Sequence, residues 1–401
     1  MMGDIQGAAR FGDTIPALSE LTPLTSAPVP GGHHLILSSG TPDDDSIYQR
    51  LVDPEGAPLE CGAKETGRFL FENLHSGDPI GAGVFLGSLP AGLSYVRHSR
   101  TPYRLDILLG SEKDPDPGHP THILTLYRHV WPGVPVEVEA LSTITGRFSL
   151  ELVAHIEYQH EGRTYVLGTV RRLPRGINAL EYTKRGIAAH VVAHSQGIDL
   201  GQTLRYIHDS FLMAFPYEWA PAEHCMEHLE QRLDTFTETA PRLAEYAPWI
   251  REWYRSIRGD MLVHRLHGNV NLKQMWLDEE ERWVIGGWSG DVRLPMEERA
   301  RLGSPLEDLA SLHRSVFRAC EGNSSWCHLA MESIFEGYGE PLPSTLFCAF
   351  ILDRACEEFA EESSQPAGHP GLITEFLDDF RETILPQRDT LPASAFLRSA
   401  Q

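Results

Sequence analysis

The spacing of the apolar residues changes near Ala179, and this change limits the folds that the chain can adopt. Before it, short apolar runs alternate with polar residues and end at Gly, Pro or Asp, which is typical of strands. After it, apolar residues recur three and four positions apart with charged residues between them, as in amphipathic helices. A strand-rich first part followed by a helical second part predicts an α+β protein.

The strand-rich part is predicted to contain three segments. Residues 1–30 end in LTPLTSAPVPGG, a run of small and turn-forming residues, and are expected to form a flexible N-terminal segment. Residues 31–95 show strand patterns around the helix pattern AKETGRFLFENLHSG and are expected to form a small α/β cap. Residues 96–178 contain a helix candidate, PVEVEALSTITG, and four strand candidates: YRLDILLG, THILTLYRH, LELVAHIEYQ and RTYVLGTVRRL.

The helical part, residues 179–390, is interrupted by one segment of a different kind. HRLHGNVNLKQMWLDEEERWVIGGWSGD, from His264 to Asp291, indicates a His-Gly loop, two short strands and a turn. A phosphotransferase catalytic segment has this order, and its acids orient the acceptor hydroxyl and bind the metal. Amide and glycine residues stand here where that chemistry needs acids.

Composition and charge exclude several partners. No apolar run approaches the roughly 18 to 20 residues that cross a bilayer, and the first residues lack the basic flank and apolar core of a secretion signal. We therefore expect a cytoplasmic protein without a membrane partner. The 34 Lys and Arg residues against 56 Asp and Glu residues give a formal net charge of -22, which repels nucleic acid at long range.

The cysteines and histidines do not predict a metal centre. The six cysteines form no C-x-x-C motif, and most lie in apolar or helical patterns, so we interpret them as small buried side chains. His224, Cys225 and His228 are spaced as one half of a metal site could be, but the sequence shows no second half.

Two segments, LHGNVNLKQMWL and SPLEDLASLHRS, resemble those of the bacterial maltokinases and of their glucosamine-kinase and aminoglycoside-phosphotransferase relatives. ILTLYRHVWPGVPVEVEAL and YVLGTVRRLPRGINALEY are similar to the strand, helix entry and linker of that family, and the likeness extends over about residues 31 to 385. The residues that match in the two segments and the connection between them are His267, Gly268, Leu272, Gln274, Gly290, Pro295, Glu298, Arg299, Ser304, Pro305, Leu306 and Asp308.

This resemblance implies a protein-kinase-like (aminoglycoside phosphotransferase-like) bilobal fold. Residues 31–95 are then the N-terminal α/β cap subdomain, residues 96–178 the kinase-like intermediate lobe, and residues 179–390 a helical C-terminal lobe with the catalytic loop. The activity that it implies is phosphorylation of a sugar by ATP with Mg²⁺.

Phosphoryl transfer needs a lysine on the phosphates, ligands for magnesium and an acid that accepts the hydroxyl proton. The resemblance places Thr125 at the lysine position and Glu139 on the helix as the acid that orients this lysine. Asn269 stands at the catalytic-loop aspartate, and its amide cannot accept a proton near neutral pH. Gly287 stands at the main metal-binding aspartate. We therefore predict no catalytic residues.

Other positions of the nucleotide site keep polar residues. The resemblance implies that His267, Asn269, Gln274 and Asp291 remain there, together with Glu139. One carboxylate and one amide make a poor magnesium site, so we predict neither a bound metal nor a cofactor. On the acceptor side, Glu358 and Glu362 are the residues that remain.

These substitutions predict a maltokinase-like pseudokinase that acts as a binding or regulatory partner. The resemblance implies a place in trehalose, maltose and glycogen metabolism, with trehalose synthase or an active maltokinase as the protein partner. An active sugar or aminosugar kinase stays open as an alternative, with ATP, Mg²⁺ and displaced acids such as Asp278 or Asp291. Asp278, Glu279 and Glu280 are, however, predicted to lie in a solvated turn between two strands. A third alternative is a protein whose cleft binds a sugar without nucleotide.

Overall fold

The computed structural model describes residues 21–29, 33–39, 46–52, 79–80, 83–87, 90, 92–100, 104–111, 119–144, 148–288, 299–321, 323–365 and 370–398. These residues divide into two compact units. The N-terminal unit lies within Arg10–Arg175 and Val292–Arg299, and the C-terminal unit lies within Gly176–Asp291 and Ala300–Gln401.

Antiparallel strands make up most of the described N-terminal unit. In chain order its elements are β1 (Thr22–Val29), β2 (His33–Ser39), β3 (Ile47–Val52), β4 (Pro79–Ile80), β5 (Gly83–Gly87), β6 (Leu93–Arg100), β7 (Arg104–Ser111), β8 (Pro120–Tyr127), β9 (His129–Val130), α1 (Val136–Thr143), β10 (Leu152–His160) and β11 (Arg163–Arg172). A four-stranded sheet has the order β1-β2-β3-β9, and a seven-stranded sheet has the order β4-β5-β10-β11-β8-β7-β6.

The two sheets of the N-terminal unit share one apolar core. Leu37 and Ile47 of the small sheet pack with Ile107, Leu124 and Leu167 of the large one. The alternation that predicts strands places these side chains inward, and polar neighbours face outward. The Gln49 side-chain amide connects the sheets, because its Nε2 donates hydrogen bonds to Tyr127 O at 2.9 Å and Leu167 O at 3.1 Å.

The N-terminal unit differs from the sequence prediction at one point. β1 lies inside the segment that was expected to be flexible, because its residues pair antiparallel with β2 from Thr22↔Ser39 to Val29↔His33. Backbone pairing with a neighbouring strand therefore orders a sequence rich in Pro and Thr. The predicted cap helix, AKETGRFLFENLHSG, lies outside the described residues.

Helices dominate the C-terminal unit. Its elements are β12 (Gly176–Asn178), α2 (Ala179–Ala189), α3 (His194–Ala214), β13 (Tyr217–Pro221), α4 (Ala222–Thr239), α5 (Ala247–Ser256), β14 (Asp260–His264), β15 (Met275–Asp278), β16 (Trp283–Ile285), α6 (Pro305–Cys320), α7 (Ser324–Tyr338), α8 (Thr345–Ser364), α9 (Gly371–Asp379) and β17 (Leu397–Arg398). The strands form two sheets, β12-β15-β16 and β13-β14-β17. The segment from β14 to β16 is the loop and two-strand interruption that the sequence predicts.

Helix α6 begins where its sequence predicts. The Ser304 hydroxyl accepts from the N–H of Leu306, and the Glu307 carboxylate accepts from the N–H of Ser304 at 3.0 Å, which together form a capping box. Pro305 occupies the first helical position, where its missing N–H has no cost. This start fixes the position of Asp308 in the first turn. No helix among the described residues is long and apolar enough to cross a membrane.

Candidate functional site

The C-terminal unit contains the predicted catalytic segment as residues 267–274, which we call the Asn269 loop. β14, with residues Met261 to His264 buried, leads into it, and a short 3₁₀ turn, Leu272–Gln274, ends it. Gly268 adopts φ +79°, a left-handed conformation that favours glycine. The loop is therefore held between a buried strand and the β15–β16 hairpin.

Asp308 holds this loop from helix α6. Its Oδ2 accepts from the N–H of His267 and its Oδ1 from the N–H of Gly268, both at 2.9 Å. The His208 Nε2 donates to the same carboxylate at 3.2 Å, and the Tyr338 hydroxyl donates to His208 Nδ1 at 2.8 Å. Burial opposes ionisation of Asp308, but His208 and the backbone N–H of His267 outweigh it and lower its pKa. The carboxylate thus acts as an anchor for the backbone.

His267 connects the loop to the backbone that directly precedes Gly287. Its Nε2 lies 2.7 Å from Gly286 O, and its Nδ1 lies 3.3 Å from the N–H of Asn269. A carbonyl oxygen only accepts and a backbone N–H only donates, so these contacts fit a neutral ring protonated at Nε2. With 2% of its surface exposed, His267 is part of the interior. It organises the loop rather than reacting.

Amide side chains at Asn269 and Asn271 form hydrogen bonds within the loop. The Asn271 side-chain Nδ2 donates to Asn269 O at 3.0 Å and to Asn269 Oδ1 at 3.2 Å. The Asn271 Oδ1 accepts from the N–H of Lys273 at 3.1 Å. Neither amide takes up a proton near neutral pH, so the loop holds no general base at the predicted position.

Gly287 and Gln274 fill the place where the metal carboxylate is expected. Gly287 has φ +76°, and a Cβ on it would lie 2.3 Å from both Cδ and Oε1 of Gln274. The Gln274 Oε1 is buried and has no hydrogen-bond partner among the described residues. The side chain of Gln274 therefore occupies the space that an aspartate at residue 287 would need.

These residues do not fit a magnesium ion. Mg²⁺ is held through carboxylates and phosphates, whereas Asn269, Asn271 and Gln274 supply only amide oxygens. Within the described part of the chain, no three His, Cys, Asp or Glu side chains form a group that could hold a metal. Asp291, the carboxylate that the sequence retains, lies outside the described residues.

The acids of the neighbouring hairpin serve the hairpin itself. Asp278 accepts from Arg282 Nε at 2.9 Å and Nη2 at 2.8 Å, and from the N–H groups of Glu280 and Arg282. Burial opposes ionisation of Asp278, but these hydrogen bonds dominate and lower its pKa. Glu279 and Glu280 are exposed turn residues, as the sequence predicts.

Both acceptor-side acids are engaged with arginines of helix α6. Glu358 Oε2 lies 2.8 Å from Nη2 of Arg314, whose guanidinium also lies over the ring of Phe376 at 4.2 Å. Glu362 Oε1 lies 2.8 Å from Nη2 of Arg318. The ion pairs join α6 to α8, so these carboxylates have a structural use that the sequence analysis did not assign.

The N-terminal unit contains Thr125, which the resemblance places at the phosphate-lysine position. Thr125 is 0% exposed on strand β8. Its hydroxyl donates to Asp106 Oδ1 at 2.6 Å and accepts from Arg171 Nη2 at 2.8 Å. Thr125 is therefore a buried hydrogen-bonding bridge between two charged side chains of the adjacent strands β7 and β11.

Glu137 of helix α1 binds a cation, and the role that the resemblance implies for Glu139 stays a prediction. Glu137 is 1% exposed, and its Oε1 lies 2.5 Å from Arg171 Nη1. The Tyr127 hydroxyl donates to Glu137 Oε2 at 2.5 Å. Glu139 is half-buried on α1. Its backbone oxygen accepts a hydrogen bond from the Thr143 hydroxyl at 2.8 Å.

We call Asp106, Thr125, Tyr127, Glu137 and Arg171 the Arg171 cluster. Burial opposes the charge of Arg171, but Glu137, Tyr127 and Asp106 together raise its pKa. Burial and the neighbouring Glu137 also raise the pKa of Tyr127, which keeps its hydroxyl protonated as a donor. The cluster groups opposite charges, and the guanidinium of Arg171 contacts Glu137 and Thr125 within it.

The thiols of the C-terminal unit are buried and free. They are the side chains of Cys225, Cys320, Cys327, Cys348 and Cys356, whereas Cys61 lies outside the described residues. Burial raises the pKa of Cys225 to about 12, which disfavours the thiolate that metal binding needs. Among the described residues, no group of three His, Cys, Asp or Glu ligands forms around His224, Cys225 and His228.

Comparison with solved structures identifies the fold. A glucosamine kinase in complex with glucosamine, ADP and inorganic phosphate matches with a TM-score of 0.65 at 14% identity, over 93% of this chain and 94% of that chain. The chain has a kinase-like fold. Another glucosamine kinase structure, crystal form B, matches with a TM-score of 0.62 at 15% identity, over 92% and 94% of the two chains. No family model matches the sequence.

These matches confirm the predicted fold class, including its helical C-terminal region. Sequence reasoning missed Arg171 and Glu137. Cross-strand register offered a signal, because Thr125 pairs with Thr169 and Arg171 follows on the same face of β11. A charged residue at an inward position of a central strand needs a buried partner, and α1 supplies the acid.

Proposed function

We propose that this protein is a maltokinase-like pseudokinase that acts through binding rather than phosphoryl transfer. The observation that carries the proposal is the Asn269 loop, where the framework is retained without its reactive groups. Asp308 holds the backbone of His267 and Gly268, while the resemblance puts Asn269 and Gly287 where the family has acids. A maintained fold without reactive side chains indicates that a surface or a ligand site is in use.

The Arg171 cluster supports the same proposal from the other unit. A lysine that neutralises a triphosphate supplies much of the electrostatic stabilisation in a kinase. Thr125, which the resemblance places at the lysine position, is neutral. The nearby Arg171 carries a charge, but its side chain is only 6% exposed. An alternative kinase that uses Asp278 gains no support from the structure, because Arg282 binds that carboxylate.

The direct test is an assay of phosphoryl transfer by the purified full-length chain. We expect no ATP-dependent phosphorylation of maltose or glucosamine above the enzyme-free rate, with or without Mg²⁺. Sustained turnover that Asp291→Ala abolishes would support the active-kinase alternative and overturn the proposal. Asp278→Ala is the matched control, since it removes an acid that the hairpin already uses.

The binding role is tested separately from the missing chemistry. The resemblance to maltokinases points to trehalose synthase or an active maltokinase as the partner, in trehalose, maltose and glycogen metabolism. We expect one of these purified enzymes to co-elute with this chain in size-exclusion chromatography. Calorimetry with maltose and trehalose in the absence of ATP tests the alternative that a sugar is the ligand.

A further inference from the structure

The helix acid of the N-terminal unit is bound by a cation from an unexpected strand. In an active kinase, a strand lysine reaches the phosphates and pairs with the helix glutamate. Here Thr125 of β8 replaces that lysine, and the pairing cation is Arg171 of β11. Because β8 and β11 are adjacent antiparallel strands, Arg171 contacts both Glu137 and the Thr125 hydroxyl.

We propose that Arg171 is a relocated counter-ion that fixes helix α1 on the sheet without any nucleotide. This inference rests on the proposed function, because it explains how the fold keeps its helix in place without a phosphate-binding lysine. A lysine that serves a nucleotide must remain accessible to it. Arg171 is instead enclosed by protein groups, and its guanidinium contacts Glu137 of the helix and Thr125 of β8.

The local geometry explains why an arginine fits this position. Thr125 and Thr169 are direct cross-strand partners, and Arg171 lies two residues further along β11 on the same face. From there its planar guanidinium contacts Glu137 through Nη1 and Thr125 through Nη2. A lysine presents one ammonium group and cannot span the helix and the strand with the same two-sided contact.

The charge balance of the cluster excludes a lysine at residue 125 while Arg171 is present. Glu137 is paired with Arg171, and Asp106 is paired with Arg104, whose Nε lies 2.9 Å from Asp106 Oδ2. A lysine at residue 125 would add a third cation to two carboxylates in a buried site. It would also remove the Thr125 hydroxyl, to which Arg171 donates. Reintroducing the lysine is therefore expected to succeed only when Arg171 is removed.

The test compares Thr125→Lys, Arg171→Met and the double variant by urea unfolding of the full chain. We expect both single changes to destabilise, and the double variant to have an unfolding equilibrium constant about tenfold lower than Thr125→Lys alone. The matched control is Thr125→Lys with Arg172→Met. Arg172 follows directly on β11, but its side chain is 66% exposed and faces Glu151. Equal rescue by both partners, or rescue by neither, overturns the proposal.

A second pair keeps the test decisive if the lysine variants do not fold. Arg171→Met leaves the buried Glu137 carboxylate without its cation, so adding Glu137→Gln is expected to recover stability. If Glu137→Gln destabilises Arg171→Met further, the counter-ion assignment is wrong.

Calorimetry with ATP and Mg²⁺ separates this inference from the proposed function. We expect no heat of binding for the wild-type chain. Binding of ATP by the wild type would contradict the proposal that Arg171 fixes helix α1 without nucleotide. Phosphoryl transfer by the wild type, together with no rescue of Thr125→Lys by Arg171→Met, would count against both proposals. Rescue together with phosphoryl transfer would support the counter-ion and overturn only the pseudokinase.

Discussion

The Arg171 cluster and the Asn269 loop differ in the charge of the polar groups that they hold. The cluster retains its charges, since Glu137 and Arg171 form a buried ion pair with 2.5 Å between Oε1 and Nη1. The loop has neutral groups instead, because Asn269 and Asn271 present amides while Asp308 holds the backbone. A buried charge cannot be removed without its partner, whereas acids at a ligand site can be replaced singly. We therefore expect buried charges in the core to be rearranged together with their partners, and acids at the loop to be substituted singly.

Asp308→Ala tests whether the loop depends on one anchor, and it should have the largest effect. The change leaves the N–H groups of His267 and Gly268 unsatisfied in the interior, together with His208. We expect a loss of about 3–5 kcal/mol in the free energy of unfolding, measured by urea denaturation. Asp308→Asn keeps one acceptor oxygen and should cost less. Equal stability of Asp308→Ala and wild type would show that the loop needs no anchor.

The pH dependence of stability distinguishes the interior of the C-terminal unit from the Arg171 cluster. Burial, with a smaller contribution from His208, lowers the pKa of His264 from 6.5 to about 4. Between these values the unfolded chain binds a proton that the folded chain excludes. Stability should therefore decrease as pH falls through this window, by about 1.4 kcal/mol per pH unit for this histidine.

His264→Gln removes that titration, and urea unfolding at pH 6.5, 5.5 and 4.5 measures the difference from wild type. The variant should lose less stability on acidification than the wild type does. An identical pH slope for the two proteins would mean that His264 accepts a proton freely when folded.

Gly287→Asp tests whether the metal position can be restored. The left-handed backbone at φ +76° should cost the new side chain about 1–2 kcal/mol, and Gln274 must also move. Gly287→Ala serves as the control for backbone strain without a carboxylate. Adding Gln274→Ala should recover part of the stability of both variants, because each carries the Cβ that would lie 2.3 Å from Gln274, as measured by thermal unfolding. If Gly287→Asp costs nothing, the position is open and the loop resembles a metal site more than we infer.

Tyr127→Phe makes the smallest change and probes the cluster alone. It removes the hydroxyl that donates to Glu137 Oε2, and we expect a loss of about 1 kcal/mol in the free energy of unfolding. Tyr158→Phe is a suitable control, because its hydroxyl contacts His160 Nδ1 at 3.3 Å near the surface. A larger loss for the control than for Tyr127→Phe would contradict the buried role of the cluster.

The sequence predicted the elements better than the contacts between them. Alternation identified β7, β8, β10 and β11, and the Ser304 and Pro305 start identified α6. The choice between Glu137 and Glu139 was not predictable in the same way. Both acids lie in the first turn of α1, and the helical phase that turns one of them inward depends on packing against the sheet.

The acceptor-side ion pairs were within reach of sequence reasoning. Arg314 and Arg318 are four residues apart on α6, and Glu358 and Glu362 have the same spacing on α8. Matched opposite charges with one helical period indicate two helices that face each other. Arg171 was harder to assign, because its partner belongs to a separate element and no local periodicity connects them.

The contacts of the Asp308 carboxylate affect how enzymes can be recognised from short motifs. Its two oxygens are occupied by main-chain amides, so the Ser-Pro-Leu-x-Asp segment is needed for the chain to fold whether or not a reaction takes place. A motif of this kind indicates the fold, and its presence in a sequence gives no information about catalytic turnover.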